Sequence, residues 1–346
     1  MAASFDSPAA AALATVLGDR NAHSSDGVRR NASPLWLNGS LTADEQTPSA
    51  PVSVNAPRRN ALAIATATDR NYVEITGVML RSLVANGHVF GDRIVVFGDG
   101  LRASHERDLR AAASPSEIEI RDITSIRYRI AHFRTTIYWP TATYVRLLAP
   151  DLLGDEDRLL YVDGDVIITR SLGSLRSLPL KPFCVAAVPE ADDQAAKGNA
   201  RLQRASQPYL NAGVLLIDVP LWRMRNLTDR LLSWLDAHPN QRAQDQDALN
   251  AVLGSDWLPL DHTYNSHCAG ARASADAIRS ATIIHFTGER KPTEQACMHP
   301  ARDLFMAQRA HTPWGRQPLT SETRVALRRL WLKAARASRR QFSYFH

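Results

Sequence analysis

Cysteine is scarce: Cys184, Cys268 and Cys297 are the only three in 346 residues. An odd number without metal-site spacing excludes a disulfide scaffold and fits small thiols in a reducing compartment. Long apolar runs are missing as well. Val214 to Ile217, within YLNAGVLLIDV, falls far short of the roughly 18 residues that a membrane-spanning helix needs. The N-terminal stretch MAASFDSPAAAALATVLGD has no basic segment and carries Asp6, which argues against a secretory signal. A soluble, cytoplasmic chain is expected.

Acidic residues are absent from one place. From Arg324 to the C-terminus there are seven basic residues and no acid, leaving 34 basic against 35 acidic in the rest. The net charge of +6 therefore belongs to a tail. A fold without its own basic surplus, and without an aromatic–basic strand pattern, is not expected to bind nucleic acid.

What remains is ordinary globular material, 45% hydrophobic and 22% charged. Residues 1–58 are rich in Ala, Ser, Asn and Pro, cannot bury enough apolar surface to offset their ordering entropy, and read as a flexible extension. From there ALAIATATD (61–69), ITGVMLRSLVANG (75–87), RIVVFGDG (93–100), SHERDLRAAAS (104–114) and EIEIRDI (117–123) alternate strand, helix, strand, helix, strand. That alternation predicts a Rossmann-like α/β fold, a mostly parallel sheet with helices on both faces. TATYVRLLAPDLL (141–153) reads as helical up to a break at Pro150. RLLYVDGDVII (158–168) contains a fourth buried strand, and FCVAAV, AGVLLIDV and ATIIHFTG are further strands.

The candidate chemistry begins at Asp163-Gly164-Asp165, directly after LLYV. Leaving a strand in extended form, positions i and i+2 project to one side, and open α/β sheets bind ligands beyond the carboxyl ends of their strands. Two aspartates there make a hard-oxygen cation site open enough to share the ion with a diphosphate; an ordinary Asp-Gly turn is the plainer reading. Gly164 lets the backbone turn closely. His285, in HFTGERKP, favours Mn²⁺ over Mg²⁺ as the ion, because magnesium prefers all-oxygen shells. Gly288 would allow close backbone approach to a phosphate, and Lys291 supplies a point charge. Asn211, Asp245 and Gln246 carry groups of the kind that hold sugar hydroxyls, although Asp245 and Asp247 could simply cap a helix. Arg146 could be a surface residue, and Asp69 with Asn71 could form an Asx turn.

With TATDRNY, MLRSL, TYVRL, LLYVDGDVII, LNAGVLLIDVPLWR, DQDALN and HFTGERKP in this order, the chain resembles glycosyltransferase family 8 from about Ala61 to Met298. This is the retaining, metal-dependent family that includes bacterial lipopolysaccharide galactosyl- and glucosyltransferases. The resemblance implies a GT-A fold over 59–298 and a UDP-hexose donor. It implies uracil and ribose contacts from Asp69, Asn71 and Tyr72, and Mn²⁺ (with Mg²⁺ as the alternative) held by Asp163, Asp165 and His285. Gly288 and Lys291 would hold the diphosphate. Arg146, Asn211 and Asp245 would hold the donor sugar, and Gln246 would lie beside its anomeric carbon, with front-face displacement preferred over a covalent adduct on Asp245. The acceptor would be a saccharide of a cell-surface glycan.

Three positions depart from the family's pattern. Pro189, followed by Glu190, stands where an acid often follows the strand; Thr293 replaces a frequent Trp; Tyr138 replaces a His. A UDP-sugar-binding protein that has lost transferase activity is the alternative function, and a nucleotidyltransferase is disfavoured by the lack of a Gly-rich activation loop. Residues 299–346 are expected to form a basic amphipathic segment. Across Arg324–Arg340 the basic residues share one half of a helical wheel, opposite Leu327, Leu330, Trp331 and Ala334. Such a helix would place the enzyme peripherally on an anionic inner-membrane surface.

Overall fold

Apolar runs buried on both faces build the centre of the molecule, because parallel strands covered by helices have no solvent face to give to polar residues. The computed structural model describes residues 62–135, 140–240, 243–267, 274–288, 290–327 and 330. The expected N-terminal extension, Tyr138 and most of the basic tail lie outside them.

The strands are β1 (Ala63–Asp69), β2 (Arg93–Asp99), β3 (Glu119–Asp122), β4 (Arg158–Val162), β5 (Val166–Ile168), β6 (Val185–Pro189), β7 (Leu210–Asp218), β8 (Leu258–Pro259), β9 (Ser266–His267) and β10 (Ile283–His285). Seven form one sheet in the order β3-β2-β1-β4-β7-β6-β8, and β5-β10-β9 form a second. In the large sheet β7 alone runs against its neighbours, pairing antiparallel with both β4 and β6. Its predicted strand is present, but reversed within an otherwise parallel set.

The helices are α1 (Val73–Asn86), α2 (Ala103–Ala113), α3 (Val145–Leu152), α4 (Gly173–Ser177), α5 (Asp192–Arg201), α6 (Val219–Met224), α7 (Leu227–Ala237), α8 (Gln244–Leu253), α9 (Ala275–Ser280) and α10 (Arg302–Arg309). Ala63, Ala65, Val95 and Phe97 on one face of the sheet join a core with Leu147, Leu231 and Leu249 from α3, α7 and α8. The alternate residues Ile64, Ile94 and Val96 are buried on the other face. α1 ends where the Asn-Gly signal places it, with the Gly87 N–H donating to the Leu83 carbonyl at 2.8 Å.

One expectation needs correction. The helix around Pro150 does not stop there: α3 opens only at Val145, after a 3-10 turn over Thr141–Tyr144, and runs through Pro150 to Leu152. Pro150, the sixth of the eight residues, costs the ladder one bond near the helix end, and its carbonyl accepts from Arg223 Nε at 3.1 Å. RLLYVDGDVII contains the expected fourth strand and a further one after it. β4 belongs to the large sheet and β5 to the small one, with Asp163, Gly164 and Asp165 as the whole connection between them.

Core packing also continues past Met298, where the resemblance ended. Phe305 of α10 is fully buried with Ile75 and Val78 of α1. The Trp314 ring lies where a Gly77 side chain would be, 2.3 Å from the position of a Cβ. Arg309, 2% exposed, donates from Nε to Glu74 at 2.7 Å. None of the helices among the described residues is long and apolar enough to cross a membrane.

Candidate active site

The reversal of β7 puts its opening residues at the carboxyl edge of β4. The Asp163 N–H donates to the Gly213 carbonyl at 2.8 Å, one step beyond the paired Val162 and Val214. The small sheet supplies the other wall. β10 runs antiparallel to β5, with His285 opposite Val166, and the Phe286 N–H donates to the Asp165 carbonyl at 2.9 Å.

Asp163, Asp165 and His285 consequently converge, one ligand atom from each lying within 4.8 Å of the others. His285 Nε2 is 3.2 Å from Asp165 Oδ1 and 3.8 Å from Asp163 Oδ2. Its tautomer is fixed by a chain of partners that starts from a backbone donor. The Gly213 N–H donates to Asn211 Oδ1 at 2.8 Å, so Asn265 must offer its amide nitrogen to that same oxygen, also at 2.8 Å. Asn265 Oδ1 is then left to accept from His285 Nδ1 at 3.0 Å, which turns the Nε2 lone pair toward the two aspartates. Two carboxylates and an imidazole presented in this way fit a divalent cation.

Cations of the protein itself surround the pair. Lys291 Nζ donates to Asp165 Oδ2 at 2.6 Å and to the Phe286 carbonyl at 3.0 Å. Arg146, 5% exposed in the first turn of α3, donates from Nη2 to Asp163 at 2.7 Å and lies 2.9 Å from Asp245 Oδ2 through Nε. It also reaches the Ala212 carbonyl at 2.5 Å and is no surface residue. Burial pushes the Asp163 carboxyl up to about 6, with Arg146 opposing the shift and Asp165 adding to it. Burial works on Asp165 in the same sense, but the Lys291 ammonium beside it is the main opposing influence, and that carboxyl is held well below the usual range. Burial pulls Lys291 down most, but Asp165, Tyr72 and Asp163 together outweigh it, so its ammonium holds its proton more tightly than usual. Asp245 is raised by burial despite Arg146.

The glycines serve close packing. A Cβ on Gly164 would meet Thr76 Oγ1 at 2.5 Å, so α1 presses against the loop there; the expected tight turn is not what this glycine supplies. A Cβ on Gly213 would lie 2.3 Å from His285 Cε1. Gly288 does take a left-handed backbone, at φ +99°.

Asp69 and Asn71 sit at the carboxyl end of β1, beside β4, in the Asx turn that the sequence offered. Asp69 Oδ1 accepts from the N–H groups of Asn71 and Tyr72 at 2.8 and 3.1 Å. Asp247 is a cap and a structural anchor: it accepts the Ala243 N–H at 3.1 Å and pairs with Arg201 at 2.9 Å. Asp245, two residues earlier, faces Arg146 instead.

Sequence reasoning missed three members of this cluster. Glu190 Oε1 accepts from Asn211 Nδ2 at 2.7 Å and from Gln246 Nε2 at 3.2 Å, while Oε2 lies 3.4 Å from His267 Nδ1. Its signal was the acid one place beyond Pro189; a register irregularity between Ala187 and Pro189 in β6 brings it to the site. Burial opposes its ionisation, but the His267, Asn211 and Gln246 contacts bring it down to about 2. Asn265 precedes a two-residue strand, His267 is its second residue, and neither carries a motif. Of the other departures, Thr293 is buried, and its carbonyl accepts from Thr320 N–H at 2.9 Å.

An open α/β sheet with paired aspartates and a tautomer-fixed imidazole at its carboxyl edge is the GT-A class of glycosyltransferase architecture. A galactosyltransferase solved with donor and acceptor sugar analogues superposes with a TM-score of 0.63, over 72% of this chain and 96% of that one, at 22% identity. The sequence profile of Glycosyl transferase family 8 matches residues 63–295, and the chain belongs to that family of glycosyltransferases. Among its relatives, general stress protein A of Bacillus subtilis is 26% identical over 72% of this chain and 94% of its own length. The lipopolysaccharide 1,2-glucosyltransferase of Escherichia coli is 27% identical over 75% and 81%.

Proposed function

We propose that the enzyme transfers glucose or galactose from a UDP-hexose to a hydroxyl of a saccharide acceptor on a cell-surface glycan, with retention at the anomeric carbon and with Mn²⁺ as its ion. The observation that carries this reading is the convergence of Asp163, Asp165 and a tautomer-fixed His285 beside Lys291, at the carboxyl edge of the sheet. Asp163, Asp165 and His285 would hold the ion, and its chemistry there is Lewis-acid stabilisation of the diphosphate leaving group. The imidazole in the donor set favours Mn²⁺ over Mg²⁺.

The chain's own residues carry the rest. Asp69, Asn71 and Tyr72, at the end of the strand next to β4, would receive the uracil and ribose. Gly288 and Lys291 would hold the diphosphate, with Lys291 exchanging its bond to Asp165 for a phosphate oxygen. Arg146 fixes Asp163 and Asp245, so that Asp245 and Asn211 meet the hexose in one orientation. Gln246 would lie beside the anomeric carbon; its amide is a poor nucleophile. Front-face displacement follows: the bond from the anomeric carbon to the leaving oxygen breaks, the acceptor oxygen bonds on the same face, and the acceptor's proton passes to the departing phosphate. The Asp245 carboxylate is engaged by Arg146, which disfavours a covalent adduct on it.

The completeness of the cluster favours an active enzyme over a binding protein that has lost catalysis. UDP release from a panel of UDP-sugars, with and without Mn²⁺ and without acceptor, tests the reading. Mn²⁺-dependent release from UDP-glucose or UDP-galactose is expected, and Asp163→Asn should nearly abolish it. Metal-independent release, or full activity in Asp163→Asn, would refute it.

A further inference from the structure

Glu190 and His267 form a second polar cluster against the first, and neither belongs to the metal–diphosphate set. Two backbone donors fix the orientation of two side-chain amides: the Ala212 N–H gives its hydrogen bond to Gln246 Oε1 at 3.1 Å, and the Gly213 N–H to Asn211 Oδ1 at 2.8 Å. Both amide nitrogens are thereby turned the same way, and a single oxygen, Glu190 Oε1, accepts from both. The other oxygen of Glu190 faces His267 Nδ1, which places the imidazole proton on Nδ1 and the lone pair on Nε2. That Nε2 is buried and has no hydrogen-bond partner among the described residues. β9 pairs in parallel with β10, bringing His267 opposite His285 with their rings edge-on at 5.6 Å. The Glu190 and His267 side chains are 12% and 17% exposed, so the cluster borders solvent although Nε2 itself is covered.

A buried acceptor without a partner is costly, and a ligand hydroxyl that donates to it removes the cost. The amides that Glu190 orients are the ones placed at the hexose by the proposed function, on which this step rests. We infer that Glu190 is a positioning residue that aligns Asn211 and Gln246, and that His267, held by Glu190, reads the transferred hexose by accepting a hydroxyl hydrogen at Nε2. A carboxylate serves here as a two-way acceptor, not as a nucleophile. A glutamine at 190 keeps only the first role: its one amide oxygen can take both N–H groups, but its nitrogen faces an imidazole of the opposite tautomer, whose Nε2 then donates and no longer accepts.

The test separates the hexose from the nucleotide. UDP, UDP-glucose and UDP-galactose are titrated calorimetrically in Mn²⁺ into wild type, His267→Phe, Glu190→Ala and Glu190→Gln, and kcat and KM are measured beside thermal unfolding. UDP affinity is expected within threefold of wild type throughout. His267→Phe, which keeps a ring against His285, should weaken UDP-hexose about tenfold, the worth of one such hydrogen bond. Glu190→Ala should lower kcat/KM about a hundredfold, mostly in kcat, and Glu190→Gln should recover the kcat while binding UDP-hexose as weakly as His267→Phe. Unchanged UDP-hexose affinity in His267→Phe, or a Glu190→Gln as impaired as Glu190→Ala, overturns the inference and leaves the donor reading standing. A wild type that binds UDP-hexose no differently from UDP and releases none overturns both.

Discussion

Gly213→Ala adds one methyl group at the point where β7 meets His285, and its cost can be worked from the surroundings. The new carbon would lie 2.3 Å from His285 Cε1 and 2.7 Å from Nδ1, where ordinary contact begins at about 3.4 Å, so something must move by roughly 1 Å. β7 cannot yield, because it is paired on both sides by β4 and β6. The ring must turn instead, and it is held by Asn265 at 3.0 Å through Nδ1. Overpacking of this kind costs about 1–3 kcal/mol, and the lost hydrogen bond about 1 kcal/mol more. Displacing a ligand's support typically weakens metal binding 10- to 100-fold. Titration of Mn²⁺ in the presence of UDP, beside thermal unfolding, reads both terms. In a His285→Ala background the methyl group has room, and Gly213→Ala should add almost nothing to either loss. Full metal affinity in the single variant, or equal losses in both backgrounds, would refute the coupling of this glycine to the histidine.

Metal binding should fall about tenfold per pH unit below pH 6, because burial pushes the Asp163 carboxyl up to about 6 and a cation must then displace its proton; above that pH this group contributes no slope. A flat Mn²⁺ affinity from pH 7 to 5 would contradict it. Trp314→Ala should destabilise by about 3–5 kcal/mol, seen as a lowered Tm, since the indole fills the space left by Gly77. A change under 1 kcal/mol would mean that the stretch after Met298 is not part of the core. Deleting residues 324–346 should reduce binding to anionic vesicles while sparing UDP-hexose hydrolysis; undiminished vesicle binding would dismiss the basic tail as a membrane contact.

The sheet was legible in the sequence because its strands are apolar on both faces, and the metal trio because it sits at strand ends next to turn residues. The reversal of β7 was not legible. AGVLLIDV is equally apolar read in either direction, and only its pairing with β4 and β6 fixes the sense. The separate strand β5 was not legible either, because three apolar residues after an extended link of three carry no signal of a second sheet. Glu190 escaped because its position depends on an irregularity in β6, and Asn265 and His267 because elements of two to four residues leave no periodicity. Arg146 was ambiguous for a different reason. Its neighbours in the chain are those of an amphipathic helix, and its partners Asp163 and Asp245 are 17 and 99 positions away.

The link between the two sheets has a mechanical meaning. Asp163 is hydrogen-bonded into the seven-stranded sheet through Gly213, and Asp165 into the three-stranded sheet through Phe286, with only Gly164 between them. Any tilt of one sheet against the other changes the span between the two carboxylates, so the bite of the chelate and the angle of the joint are one coordinate. Whatever bridges Asp163 and Asp165 rivets the sheets together, and amide exchange should slow on β4 and β10 in step as the rivet is set.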